Sequence, residues 1–341
     1  MKEKIKQGIK IIIFLFLSAV LLYLAFRKVD IKLILEDIKG ARYAWLIPAF
    51  TFSIFALISR ARRWILIIRA LGYRPKLWNT YHALLSGYLV NFGVPRLGEL
   101  TRCLALGKKE NIPADKLFGT VLAERAFDFI SMLVILVLML ILRGDLMRAF
   151  LSDYVIAPIG NKMADIFVFS TLSLIIAGLI FVAGLYAIYH FRDRLQKLKF
   201  INKISGLLKG IFHGLKAFLS IENKAEFIFH TIFLWTNYTL MAWVIVFMTP
   251  ATAHLTLVDG IFLLVIGSLA MAAPVQGGIG AFHWIVSRGL FVVYGIPLEE
   301  GLVYATLSHE SQMLLLVVMG TYSFYRIFGR RGKGQGVRGK G

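Results

Sequence analysis

Polar and charged residues gather at three places in an otherwise apolar chain, and their spacing suggests holding an anion rather than breaking bonds. In YLVNFGVPRLGELTR, residues 88–102, an apolar run leads directly into Asn91, Pro95, Arg96, Gly98, Glu99 and Arg102. A helix opening at Leu97 would carry Arg96, Glu99 and Arg102 at three-residue intervals along one side. Its free N–H groups and positive dipole end favour an anion. Two guanidinium forks there could clamp a phosphate, with Glu99 holding one of them in place. The competing reading is an interfacial cluster bound to bulk lipid. The second place is LAERAFDFI, where Glu124, Arg125 and Asp128 stand three and four residues apart and can share a helix face. Each ionisable group costs about 2.5–3.5 kcal/mol at the centre of a span, so these must face protein or water. They form either a site for a headgroup or proton, or an ion pair stapling two helices.

The third place is AMAAPVQGGIGAFHW, residues 270–284, with Pro274, Gln276, Gly277, Gly278 and Gly280. Glycine allows unusual backbone angles and close approach, which serves either to expose amides to a ligand or simply to make a tight turn. His283 and His309 are isolated in sequence. No metal-ligand set can be assembled around them, core hydrogen bonding is the expected role of each, and no cofactor is expected. The chain has no nucleophile motif, phosphate-binding loop, dinucleotide fingerprint or HExxH helix, so catalysis has little support.

The elements that must position these groups are membrane helices. Of 341 residues, 58% are hydrophobic, against roughly 45–50% in soluble domains. The net charge of +20 lies in short loops between apolar runs, where it sets orientation rather than binding nucleic acid. A single cysteine, Cys103, leaves no intrachain disulfide and no cysteine metal cluster. The basic start is followed by an apolar run without a small-residue cleavage site, so a retained first helix is expected.

The predicted fold is an all-α polytopic membrane protein with about six transmembrane helices and two re-entrant broken-helix hairpins, or alternatively eight spans. The spans fall at 10–26, 43–59, 117–142, 166–189, 227–248 and 302–325. The hairpins fall at 81–94 with 97–106 and at 258–273 with 279–294. About 20 apolar residues are needed to cross as a helix, and broken backbone is tolerated at membrane depth only where protein or a wet cavity receives it. Arg60, Arg62, Arg63, Arg69, Arg74 and Lys76 suggest a helix end at the headgroup level, with cationic stems snorkelling to phosphates. Trp45, Trp64 and Trp78 are expected to be interface anchors. Residues 1–326 form a single membrane domain, with a basic amphipathic linker at 190–226 and a basic, glycine-rich, disordered tail at 327–341.

An internal repeat supports this layout. Residues 112–128 align with 296–312, placing Glu124, Arg125 and Asp128 opposite Ser308, His309 and Gln312. Repeat 1 covers about 43–142 and repeat 2 about 227–326. One span between them inverts the second, an architecture found in transporters with broken helices near the midplane. Most of the 39 Lys and Arg residues fall on the side of both termini, which makes that side cytoplasmic.

Together these residues resemble the membrane domain of the lysylphosphatidylglycerol synthase/flippase family, including the N-terminal half of the multiple peptide resistance factor. The likeness covers most of the chain. It rests on Arg63-Trp64, on Asn91…Pro95-Arg96-x-Gly98-Glu99, on Glu124-Arg125-x-x-Asp128 and on Pro274-x-x-Gly277-Gly278-x-Gly280. It implies a flippase- or scramblase-like transporter moving an anionic, aminoacylated or polyprenyl-phosphate-linked lipid between leaflets of the inner or plasma membrane. The substrate-binding residues it implies are Arg63, Asn91, Arg96, Glu99, Arg102, Glu124, Arg125, Asp128, Gln276, Gly277, Gly278, Gly280, His283, His309 and Gln312. It does not imply aminoacyl transfer, which belongs to a separate cytosolic domain for which this chain has no room. Two departures bear on the substrate: His283 stands where the family often has Glu, and His309 where it often has Arg. The alternatives are a non-catalytic membrane subunit anchoring a partner enzyme and a membrane-embedded lipid transferase. A homo-oligomer is compatible with each.

Overall fold

A computed structural model describes residues 16–27, 29–94, 97–151, 219–273 and 275–329. Every regular element among them is helical, and the protein is an all-α polytopic membrane protein. Helix α1 is Phe16–Phe26. It is followed by α2 (Ile31–Gly40), α3 (Leu46–Arg69), α4 (Leu77–Gly93), α5 (Leu97–Glu110) and α6 (Ala114–Leu151). Then come α7 (Lys224–Val244), α8 (Leu257–Met271), α9 (Ala281–Tyr294) and α10 (Leu298–Phe324). The expected span at 166–189, residues 190–218 of the linker and residues 330–341 of the tail lie outside the described residues, as do Pro95, Arg96 and Pro274.

Among the described residues, four stretches are long and apolar enough to cross a membrane: Tyr43–Arg69, Ala114–Arg148, Lys224–Met248 and Leu298–Gly329. Their outward residues, such as Ile47, Val134, Ile141, Ile232, Leu314 and Val318, are large, apolar and exposed. On a soluble protein such faces would be an aggregation liability, whereas hydrocarbon is their natural solvent. The chain divides into two compact units, one of Met1–Val121 with Ser220–Gly341 and one of Leu122–Leu219. In the second, α6 bends at Arg143, whose backbone leaves helical geometry (φ −146°, ψ 58°) and whose Nε lies 3.3 Å from Asp145 Oδ1.

Within the first unit, α4 and α5 form one hairpin and α8 and α9 another. Their 17, 14, 15 and 14 residues amount to about 21–26 Å of helix at 1.5 Å per residue. Each limb is therefore short of the roughly 30 Å hydrocarbon thickness. Both hairpins are tied at their open ends by a carboxylate. Glu110, closing α5, accepts from the Lys76 amide (3.2 Å) and from Asn79 Nδ2 (2.5 Å) at the start of α4. Asp259, in the first turn of α8, accepts from the Thr256 amide (2.8 Å) and from the Tyr294 hydroxyl (2.8 Å) at the end of α9.

Lipid tails give helices no hydrophobic reason to associate, so close backbone approach through small residues carries much of the packing. Gly87 of α4 and Gly98 of α5 face each other so closely that a Cβ on Gly87 would lie 2.6 Å from the Gly98 carbonyl oxygen. A Cβ on Gly98 would meet both the Gly87 carbonyl and the Asn91 side chain. Gly320 of α10 presses on Leu85 and Leu89 of α4 in the same way.

Two members of the basic run after residue 59, Arg60 and Arg63, do not snorkel outward but lie inside the protein, whereas Arg74 and Lys76 are exposed. Helix α3 continues unbroken to Arg69, and Arg60 and Arg63 are buried at 5% and 0% exposure. The cause is α7, which packs along α3. The Tyr238 hydroxyl accepts from Arg60 Nη1 at 3.3 Å, and the Phe227 ring lies 5.9 Å from the Arg63 guanidinium. Arg62 Nε meets Glu226, in the first turn of α7, at 2.5 Å. Trp64 is likewise no interface anchor but a fully buried core residue, packed with Ile68, Ala83, Cys103, Leu106 and Leu117. Trp45 and Trp78 are exposed.

The close glycine contact predicts that Gly98→Ala destabilises the protein by about 1–3 kcal/mol, the usual cost of overpacking. Gly93→Ala, where nothing lies within 4 Å of the added methyl, should be near neutral. Thermal unfolding of both variants in the same detergent checks this, and equal midpoints would contradict it.

Candidate functional site

The site is built where the tips of the two hairpins meet. The last carbonyls of any helix lack intrahelical donors, and at α4 two of these are supplied from the second hairpin. Gln276 Nε2 donates to the Phe92 carbonyl in a short hydrogen bond and approaches the Gly93 carbonyl at 3.2 Å. On the other side of the first break, the α5 N-terminus is served by Asn91, whose Oδ1 accepts from the Gly98 amide at 2.7 Å. Both residues were expected to bind substrate, and both hold broken backbone.

Helix α1 closes over the second tip. Gly277, Gly278 and Gly280 adopt φ of 59°, 78° and 83°, a region that side-chain-bearing residues rarely enter. A Cβ on Gly280 would strike the Ser18 carbonyl (2.6 Å) and the Leu22 amide (2.7 Å) of α1. The Gln276 amide donates to Ser18 Oγ at 3.3 Å. Glycine at 280 is therefore required twice, by its backbone angle and by α1 crossing it.

Arg102, on α5, is 3% exposed and lays its guanidinium over the Trp64 ring at 4.7 Å. Trp64 is itself fixed, donating from Nε1 to Thr120 Oγ1 at 2.8 Å, and Thr120 donates on to the Leu117 carbonyl at 2.6 Å. A desolvated cation–π contact of this type is worth about 2 kcal/mol. The first hairpin thus carries one buried guanidinium, Arg102, held against Trp64 of α3, and a second, Arg63, is fully buried next to that indole in the sequence. Glu99 lies one turn before Arg102 and is half-buried. Arg96, the other half of the expected clamp, is outside the described residues.

In the second unit, α6 carries Glu124 buried, Arg125 exposed and Asp128 half-buried, so Glu124 and Arg125 point to different sides rather than sharing one face. In the first unit, His309 and Gln312 lie on α10, with His309 against the second tip. His309 Nε2 is 2.8 Å from the Gly277 carbonyl, and Gln312 Nε2 is buried with no hydrogen-bond partner among the described residues. The His283 ring, on α9, stands 5.4 Å from the His309 ring. Sequence reasoning missed Glu310, whose carboxylate lies 3.0 Å from His309 Nδ1 and 3.7 Å from His283 Nε2. The signal was present, because Glu310 is the one acidic residue in the apolar stretch 302–325. Thr120, which sets the Trp64 ring, carried no such signal.

Because a carboxylate cannot donate to a carbonyl, Gln276→Glu should uncouple the two tips while keeping side-chain size. Hydrogen exchange in detergent is expected to speed up at the Val94 and Ile279 amides and to stay unchanged at the distant Tyr294–Asp259 tie. Unchanged exchange at both tips would contradict the capping role.

Comparison with known proteins gives a consistent picture. The profile of the lysylphosphatidylglycerol synthase transmembrane region matches residues 10–320. A UPF0104 membrane protein of Methanocaldococcus jannaschii is 33% identical over 133 residues. That alignment spans 38% of this chain and 38% of the relative's length. No solved structure matches. With most of its length matched, this chain belongs to the lysylphosphatidylglycerol synthase transmembrane-region family, a membrane family related to lipid handling.

Proposed function

We propose that this protein moves a phosphate-bearing lipid between membrane leaflets, as a flippase or scramblase rather than as an enzyme. The observation that carries this reading is the meeting of two broken helical hairpins, Gln276 on Phe92 and Gly93, the first of which carries the buried guanidinium of Arg102 on α5. Ionisable side chains inside a membrane protein are costly and mark substrate paths by default. Broken helices supply backbone polar groups at depths where intact helices have none. An anionic headgroup needs both: cations to replace its hydration, and polar backbone to pass it along while its acyl chains stay in lipid.

In this reading Arg102 is the phosphate-receiving group, pre-oriented by the Trp64 ring so that little side-chain entropy is lost when the anion arrives. Glu99, one turn away, limits the local excess of positive charge and lets the headgroup leave again. The substrate class is an anionic, aminoacylated or polyprenyl-phosphate-linked lipid. The location is the inner or plasma membrane with both termini cytoplasmic, in keeping with the distribution of Lys and Arg. Uphill movement would draw on an ion gradient or a partner.

The test is leaflet exchange in proteoliposomes with labelled phosphatidylglycerol, lysyl-phosphatidylglycerol and a polyprenyl phosphate, one at a time. Wild type should exchange one of these, Arg102→Ala should lower its rate by at least about tenfold, equivalent to about 1.4 kcal/mol, and Arg102→Lys should fall between them. Exchange of none of the three by folded, oriented protein would reject transport in favour of a membrane subunit. A change in the mass of the labelled lipid would instead identify a transferase.

A further inference from the structure

A cluster that the phosphate-binding reading leaves without a task lies between α9 and α10. His309 Nε2 faces the Gly277 carbonyl oxygen at 2.8 Å. A carbonyl only accepts, so this nitrogen carries the ring proton. In the neutral ring Nδ1 is then a bare lone pair, and it faces Glu310 Oε1 at 3.0 Å. His283 Nε2 lies 3.7 Å from the same carboxylate oxygen, and one donor atom from each residue falls within 4.8 Å of the others. Successive residues on a helix diverge, so Glu310 has turned back toward the two imidazoles although half of its side chain is exposed.

The His309 lone pair facing a carboxylate requires positive charge between them. A single proton can serve one of the rings. The other ring argues for more: His283 is 3% exposed, and it turns Nε2 to within 3.7 Å of the same carboxylate oxygen. A divalent cation engages both imidazoles and the carboxylate together.

We propose that His283, His309 and Glu310 form a binding site for a divalent transition metal of the zinc class. Two imidazole nitrogens and one carboxylate oxygen are a donor set suited to such ions, with a fourth position left for water. Tetrahedral bonds of about 2.0–2.1 Å place donor atoms about 3.3 Å apart, and the observed 3.0 and 3.7 Å lie on either side of that value. The Gly277 carbonyl is the outer-shell partner that fixes the tautomer and aims Nδ1 inward. The ion enters on the half-exposed side of Glu310. It ties the second hairpin tip, through Gly277, to α9 and α10. His283 and His309 therefore act as metal ligands, and the site stands whether or not lipid transport does.

The test uses untagged, full-length protein in detergent, stripped with a chelator and titrated with Zn2+ by calorimetry and with Co2+ by visible absorption. The expected result is one saturable ion per chain, the visible bands of four-coordinate Co2+, and a raised unfolding temperature with Zn2+. Glu310→Gln and His283→Gln should each weaken binding by at least about tenfold, while His254→Gln, an exposed histidine, should leave it unchanged. Glu310→Gln keeps the proposal testable should a buried histidine variant fail to fold, because its side chain is half-exposed rather than packed in the core. Absence of saturable binding by wild type, or binding that Glu310→Gln leaves unaltered, overturns the proposal. Lipid exchange is measured separately, so its failure leaves this result interpretable.

Discussion

A helix that stops inside a membrane leaves backbone carbonyls and amides that no water satisfies, each costing several kcal/mol in rough terms. This protein breaks two hairpins of short apolar limbs, and the groups at the first break are met by the two hairpins themselves, those at the second by α1 and α10. Gln276 supplies donors to the end of α4, Asn91 accepts from the start of α5, and α1 seals the glycine turn that presents Gln276. The rest of the first unit follows from this arrangement. The glycine contact between α4 and α5, the press of α10 on α4 and the carboxylate ties at the open ends all keep the two tips in register.

The two breaks carry opposite chemistry. On the first hairpin and the α3 helix packed against it lie two guanidinium groups, Arg102 and Arg63, that no ordinary pH neutralises, buried against an indole and a phenyl ring. Beside the second lie two imidazoles and a carboxylate, groups whose charge depends on what they bind. On the proposed path a headgroup would meet fixed positive charge at Arg102, and at His283, His309 and Glu310 a site whose charge an ion would set. That difference gives the paired hairpins a chemical direction that their similar outlines alone would not.

Much of the layout was legible because its physics is local. Short apolar runs ending in Pro, Gly and charge mark broken helices, and hydropathy marks α6, α7 and α10. Legibility failed where packing overrode composition. Arg60 and Arg63 sit in a pattern that looks like a snorkelling helix end, and only α7 lying along α3 makes them internal. Trp64 looks like an interface anchor until Thr120 and Arg102 are seen to hold its edge and face. Asn91 and Gln276 were recognised as special, yet the partners that explain them lie across breaks in the chain. Glu310 was overlooked because an acidic residue beside a histidine on a helix does not normally face it.

The most direct test of the central claim is a reversible lock across the two tips. Gly93→Cys and Gln276→Cys, placed in a Cys103→Ser background and bridged by a short bifunctional thiosulfonate, join the groups that now meet through the Gln276 amide. On this account the lipid passes between the tips, so exchange in proteoliposomes should stop when the bridge forms and return when it is reduced, with the unbridged variant, which lacks the Gln276 cap, exchanging more slowly than wild type. Exchange that continues at the same rate with the tips covalently joined would show that lipid does not pass by their separation, and would contradict the account.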